Sequence, residues 1–180
     1  MDLLDFESEA LYFDEPMPEK IKYLLNQAAD SYAQHGAEPF LLEANRLAPD
    51  SLSVLVGLYR YYFYQHDHAH ALVVAHQVMR VVAPRISFPM HWRDVDEYAL
   101  GRGVMTSISL VRFYLLSLKA AGYINLRLAR FDEGKDMLSK VVSLDESDRL
   151  GARSLLDYLD SRQAEIIPFA RPNQLSELQP

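Results

Sequence analysis

Apolar and polar positions alternate along this chain with a helical period from Glu19 onward. Ile21, Leu24, Leu25, Ala28 and Ala29 recur at the three- and four-residue steps that place side chains on one helix face. Pro18 stands where a first helical turn accepts proline. His35–Gly36 reads as a turn, and a second helix is predicted over 38–47 with Phe40, Leu41, Ala44 and Leu47 inward. Pro49 ends it, and Asp50 or Ser51 can cap the next helix. That helix, 52–65, is crowded with Tyr59, Tyr61, Tyr62, Phe63 and Tyr64. The polar run HDHAH, 66–70, reads as a turn, followed by a helix over 71–83 that Pro84 ends. The β-branched residues of 71–83 would suit a strand, but its length and helical neighbours favour helix.

Residues 84–104 interrupt the pattern: a loop at PRISFP, a short helix over 91–100, and a break at Gly101 and Gly103. From Val104 the helical pattern runs through Leu115 without a breaker, so a long helix of about 25 residues is predicted. A break at 130–132, a helix over 133–144 and a last helix over 149–162 complete the domain. The expected organisation is therefore all-α, with one domain over 18–163. An acidic segment, 1–17, precedes it and an extended or disordered tail, 164–180, follows.

The stretch 115–148, LLSLKAAGYINLRLARFDEGKDMLSKVVSLDESD, reads as one helix-turn-helix unit and resembles the tetratricopeptide repeat. Counting 34 residues from Pro18, Leu52 and Leu115 aligns three units. Repeat position 4 is then Ile21, Leu55 and Leu118, and the small position 20, where paired helices cross, is Ala37, Ala71 and Gly134. Position 24 is Leu41, Ala75 and Leu138, and position 27 is Ala44, Val78 and Val141. Small residues let two helices touch, and the larger ones beside them interlock. Only the third unit has glycine at position 8, Gly122, where the others carry Leu25 and Tyr59. Only the first closes on proline at position 32, Pro49. The resemblance covers about 100 of the 180 residues. It implies a helical-repeat superhelix with an insertion after the second unit and a capping helix at the end. A generic helical bundle is the alternative.

In that family the first helix of each unit lines a concave protein-binding groove. The resemblance places Lys22, Asn26 and Asp30 there from the first unit, Arg60, Phe63 and Tyr64 from the second, and Lys119, Tyr123, Leu126 and Arg127 from the third. Cations suit a partner's carboxylates and aromatics give contact area at low entropic cost. Solvated charges and core tyrosines would account for the same residues. Lys22 and Asn26 also match half of the family's clamp for a C-terminal carboxylate, but Gly57 and Ala120 stand where its other half belongs, so a chaperone tail is not the expected ligand. The wording of LYRYYFYQ and LVRFYLLSLKAAGYINLRLARFDEG further resembles small tetratricopeptide proteins encoded with bacterial nitrogen-fixation genes. That implies an accessory role toward nitrogenase or the assembly of its cofactor.

Other chemistry is sparse. His66 and His70 would share a helix face at ligand spacing, with Asp67 between them, which makes a Zn or Ni site the competing expectation. Solvated turn histidines explain the run equally. His91, Asp94, Asp96 and Glu97 surround the single Trp92, yet no nucleophile or phosphate loop accompanies them, so no enzyme and no cofactor are expected. There is no cysteine, which suits a reducing, cytoplasmic setting. The formal net charge of −7 argues against nucleic acid. No apolar run approaches the roughly 20 residues of a membrane helix, and the acidic start lacks a signal-peptide pattern. The expected partner is another protein or peptide, or a second copy of the chain. The acidic–apolar segment 1–17 is a candidate to occupy the groove itself.

Overall fold

Every helical pattern predicted from Glu19 on becomes a helix except the short one over 91–100, with boundaries moved by local chemistry. In the computed structural model, which describes residues 16–34 and 36–165, the order is α1 (Glu19–Asp30), α2 (Glu38–Leu47), α3 (Leu52–Tyr64), α4 (His68–Arg85), α5 (Glu97–Arg127), α6 (Phe131–Leu144) and α7 (Ala152–Glu165). Short 3-10 turns lie at Tyr32–Gln34 and Trp92–Asp94, and no strand occurs among the described residues. The predicted acidic segment and tail fall almost wholly outside the described residues, as does His35 of the first turn.

Each helix packs chiefly on its neighbours in sequence, from α1 on α2 through α6 on α7. The twelve residues of the aligned positions 4, 20, 24 and 27 are all buried. At Gly134 the α5 and α6 backbones nearly touch: a Cβ there would lie 2.9 Å from the Gly122 carbonyl oxygen and 2.7 Å from Leu126. α3 sits between α2 and α4 and is apolar around most of its girth, which a helix with two covered sides requires. Gln77 and Arg85 on α4 donate to the carbonyls of Pro49 and Asp50, at 3.0 and 2.7 Å, and so tie α4 to the α2–α3 turn.

Several boundaries differ from expectation; α6 starts two residues early, at Phe131, and α7 spans Ala152–Glu165. α4 begins inside the histidine run, because Asp67 caps it by accepting from the His70 N–H at 3.1 Å. It also runs one residue past Pro84, since a proline in the last turn removes only one hydrogen bond near an end that frays anyway.

α5 starts at Glu97, capped by Asp96, whose carboxylate accepts from the Ala99 N–H at 2.7 Å. It continues through both glycines. The break falls instead at Ser107, whose backbone is extended (φ −163°, ψ 106°). Ser107 then caps the second half by accepting from the Leu110 N–H at 3.3 Å. Gly103 answers packing rather than flexibility: a Cβ there would meet the Phe88 ring at 2.5 Å.

The short helix expected over 91–100 is a 3-10 turn followed by the extended residues Val95 and Asp96. This connection lies clamped on α6. Arg93 stacks on Trp92, 4.2 Å from the ring centre, and donates to Glu133 and Asp136. Lys140 donates to the Val95 carbonyl at 3.0 Å.

Contrary to the sequence expectation, α5 is long and apolar enough to cross a membrane, with a window of mean hydropathy 1.3. Half of that window is buried. α4 and α6 pack on this helix, as on the central helix of a core.

Candidate functional site

Tyrosines and arginines at helical spacing on α3 and α5 converge into one ribbon. Arg60 lies one turn before Tyr64 on α3, with its guanidinium 6.0 Å from the Tyr64 ring centre. Tyr64 meets Phe63 edge to face at 5.8 Å, and Phe63 stacks on Tyr59 at 5.6 Å. Phe63 then reaches across to Tyr123 on α5, ring centres 6.4 Å apart. The Tyr123 hydroxyl accepts a hydrogen bond from Arg127, one turn further on, at 3.1 Å. Arg60, Tyr64 and Arg127 are exposed, while Phe63 and Tyr123 are half-buried. The rings thus form a fixed apolar floor and the two arginines flank it. Guanidinium groups in this setting suit planar carboxylates.

His68, at the start of α4, completes the edge, its ring 6.3 Å from Phe63. Its Nδ1 is buried and has no hydrogen-bond partner among the described residues. Burial holds its pKa below the ordinary histidine value, with the positive charges of Arg127 and His66 adding to the effect. His68 belongs to the ribbon, although nothing in the aligned groove positions singled it out. In the sequence it stands out only as a member of the histidine cluster His66–His76, whose expected role was metal binding.

Lys119 departs from its expected place. It is buried, and its ammonium donates to the Leu150 carbonyl in the α6–α7 turn. There it holds a connection that also needs Gly151 in the left-handed region (φ 65°) and Asp145, whose carboxylate accepts from the Leu150 N–H at 2.7 Å. Lys119 is therefore not a groove cation. The period that places it in line with Tyr123 and Arg127 does not reveal that its ammonium meets the α6–α7 turn. Leu126 is half-buried against the Gly134 crossing. Lys22, Asn26 and Asp30 are exposed on α1, and Lys22 pairs with Glu19 of its own helix at 2.8 Å.

The metal expectation fails on geometry. His66 stands outside α4 with a left-handed backbone (φ 59°), so it does not share a helix face with His70. Asp67 is engaged by the His70 N–H and by His70 Nδ1 at 2.7 Å, which holds its carboxyl below the usual carboxylate range. His70 stacks on Tyr62 at 5.0 Å. Tyr62 donates to Glu38 at 3.0 Å, and burial together with that bond pushes its hydroxyl up to about 12. Among the described residues no group of three His, Asp or Glu could hold a metal ion. Beside Trp92, Asp96 is a helix cap, and His91 accepts from the Arg93 N–H at 3.3 Å.

No family model matches the chain. No solved structure matches it either. A protein of Azotobacter chroococcum mcd 1, described as "Uncharacterized 19.8 kDa protein in nifW 5'region", is 51% identical over 169 residues, a span covering 94% of each chain. At that identity over nearly the full length of both, this chain belongs to the same family as the 19.8 kDa protein of the nifW 5' region.

Proposed function

We propose that the chain is a non-catalytic binding module. A tetratricopeptide-like stack of helices holds a segment of another protein on its α3–α5 ribbon, in the service of nitrogen fixation. The observation that carries this reading is the ribbon itself. An acidic chain keeps two exposed arginines beside a continuous run of aromatic rings contributed by two different helices. Aromatic floors flanked by guanidinium groups are what protein-binding surfaces enrich, and the occupant they suit carries carboxylates beside apolar side chains.

The repeat reading is supported by the shared burial of the aligned positions and by the backbone contact at Gly134. The link to nitrogen fixation rests on the printed description of the relative, together with the resemblance of the aromatic helices to small proteins encoded with such genes. An accessory role in nitrogenase assembly follows as the proposed setting.

The test is affinity capture of the tagged chain from nitrogen-fixing cells. A protein retained at about one copy per chain, and released as salt rises because screening weakens the arginine–carboxylate pairs, is the expected result. Retention of no stoichiometric protein from such cells would refute it.

A further inference from the structure

The fifteen residues before Pro16 carry six carboxylates and no Lys, Arg or His. They hold nearly all of the net charge of −7, since the other residues almost balance. Leu3, Leu4, Phe6, Leu11, Tyr12 and Phe13 are interspersed among the acids. The α3–α5 ribbon has the opposite make-up. α3 contains no acidic residue and α5 none after Glu97, so the ribbon helices carry only positive charge around Arg60 and Arg127. Asp67, on the turn after α3, is already engaged by His70. The flanking elements contribute both signs, Asp30 and Asp132 with Arg130. The positive charge is therefore concentrated on the ribbon itself.

The acidic residues also start from a place that reaches the ribbon. Met17 packs on the core, and Pro16, Met17 and Pro18 share a pocket with Pro49 and Ser51, just before α3. Past the other end of α1, Tyr32 meets Tyr61 of α3 edge to face, ring centres 6.2 Å apart. α1 and α3 therefore run side by side in the same direction, and the ribbon lies toward the far end of both. From Pro16 a chain must travel along α3 and step across to α5. That path is roughly 15–35 Å, which about five to eleven extended residues span. The count brings residues 5–11, DFESEAL, over the ribbon. Residues 166–180 hold one arginine and one glutamate, so they lack the complementary charge.

Resting on the reading of the ribbon as a binding surface, we propose that residues 5–11 of the same chain cover it. Asp5, Glu7 and Glu9 face Arg60 and Arg127, and Phe6 lies on the rings. A partner must then displace this segment, so the chain's own acids set the threshold for binding. A tether of this length supplies an effective concentration on the order of 1 mM. An intrinsic Kd of about 0.1 mM then keeps the ribbon about nine-tenths covered. The segment also indicates the chemistry that a displacing partner presents, carboxylates spaced by large apolar side chains.

A fluorescent peptide with the sequence of residues 1–15 is the probe, titrated with the full chain from roughly 10 µM to 1 mM. The wild type is expected to bind it about tenfold more weakly than the triple variant Asp5→Asn, Glu7→Gln and Glu9→Gln, whose own segment is uncharged there. Adding Arg60→Glu and Arg127→Glu to the triple variant is expected to abolish binding. Circular dichroism establishes that these surface variants remain folded. Equal binding by the wild type and the triple variant, binding by neither, or binding that survives the arginine substitutions would overturn the proposal. So would a wild type that sediments as a dimer beside a monomeric triple variant, because the segment then sits on a second copy. Capture from cells separates this contact from the binding reading. A partner held through Arg60 and Arg127, together with a probe that binds nothing, overturns the segment's contact and leaves the binding module standing.

Discussion

At the scale of single residues, two side chains that look like surface chemistry in the sequence are structural. Lys119 has the spacing of a groove cation, yet its ammonium is buried and holds the Leu150 carbonyl. Replacing it with methionine keeps the aliphatic stem but strands that carbonyl. Lys119→Met is expected to cost about 1–3 kcal/mol, read as a lower denaturation midpoint in urea, with partner binding unchanged where the chain is folded. His68 is the converse case, a titratable group at the ribbon's edge whose pKa burial lowers. Its folded pKa lies below its unfolded one, so the unfolded chain binds the proton more readily. Stability from His68 is therefore present above the unfolded value and lost as pH falls through about 6.5. Melting temperature is expected to drop on acidification through that range. The drop should shrink in His68→Gln without disappearing, because other histidines titrate nearby.

At the scale of elements, helical period was enough to find the helices, because each buries a stripe with the expected spacing. Ile21, Leu24 and Ala28 on α1 show this, as do Gly134, Met137, Leu138 and Val141 on α6. What period could not supply was the location of the breaks. Gly101 and Gly103 carry the residue type that breaks helices, yet both lie within α5. The discontinuity sits at Ser107, whose side chain can cap a restarted helix. Likewise Asp67 reads in the sequence as a candidate ligand, and its capture of His70 as a cap required knowing where α4 begins. That capture removed the metal site. The arginines and aromatics of the ribbon were nameable from the sequence, whereas the contact of Phe63 with Tyr123 depends on how α3 and α5 meet in space. The two kinds of helical glycine give a paired test. Gly134→Ala drives a methyl into the α5 backbone and is expected to cost about 1–3 kcal/mol. Gly101→Ala has open space around it and is expected to stabilise by up to about 1 kcal/mol, since alanine favours helix. Equilibrium unfolding of both variants checks this. Equal effects would contradict a close α5–α6 crossing.

At the scale of the whole molecule, the described chain separates two kinds of surface. The α3–α5 ribbon joins aromatic and cationic groups from two helices, and α5 separately exposes the apolar side chains of Tyr98, Met105 and Ile108. The connection between α4 and α5 is pinned to α6 by Arg93 and Lys140, so it stiffens the stack between them. The central claim is that the ribbon binds a protein through its arginines. The most direct measurement compares the wild type with the double variant Arg60→Glu and Arg127→Glu, matched for folding, in capture from nitrogen-fixing cells. The expected result is a stoichiometric partner on the wild type and its loss on the variant, because each carboxylate contact becomes a repulsion. A partner retained equally by both would contradict the assignment of the ribbon.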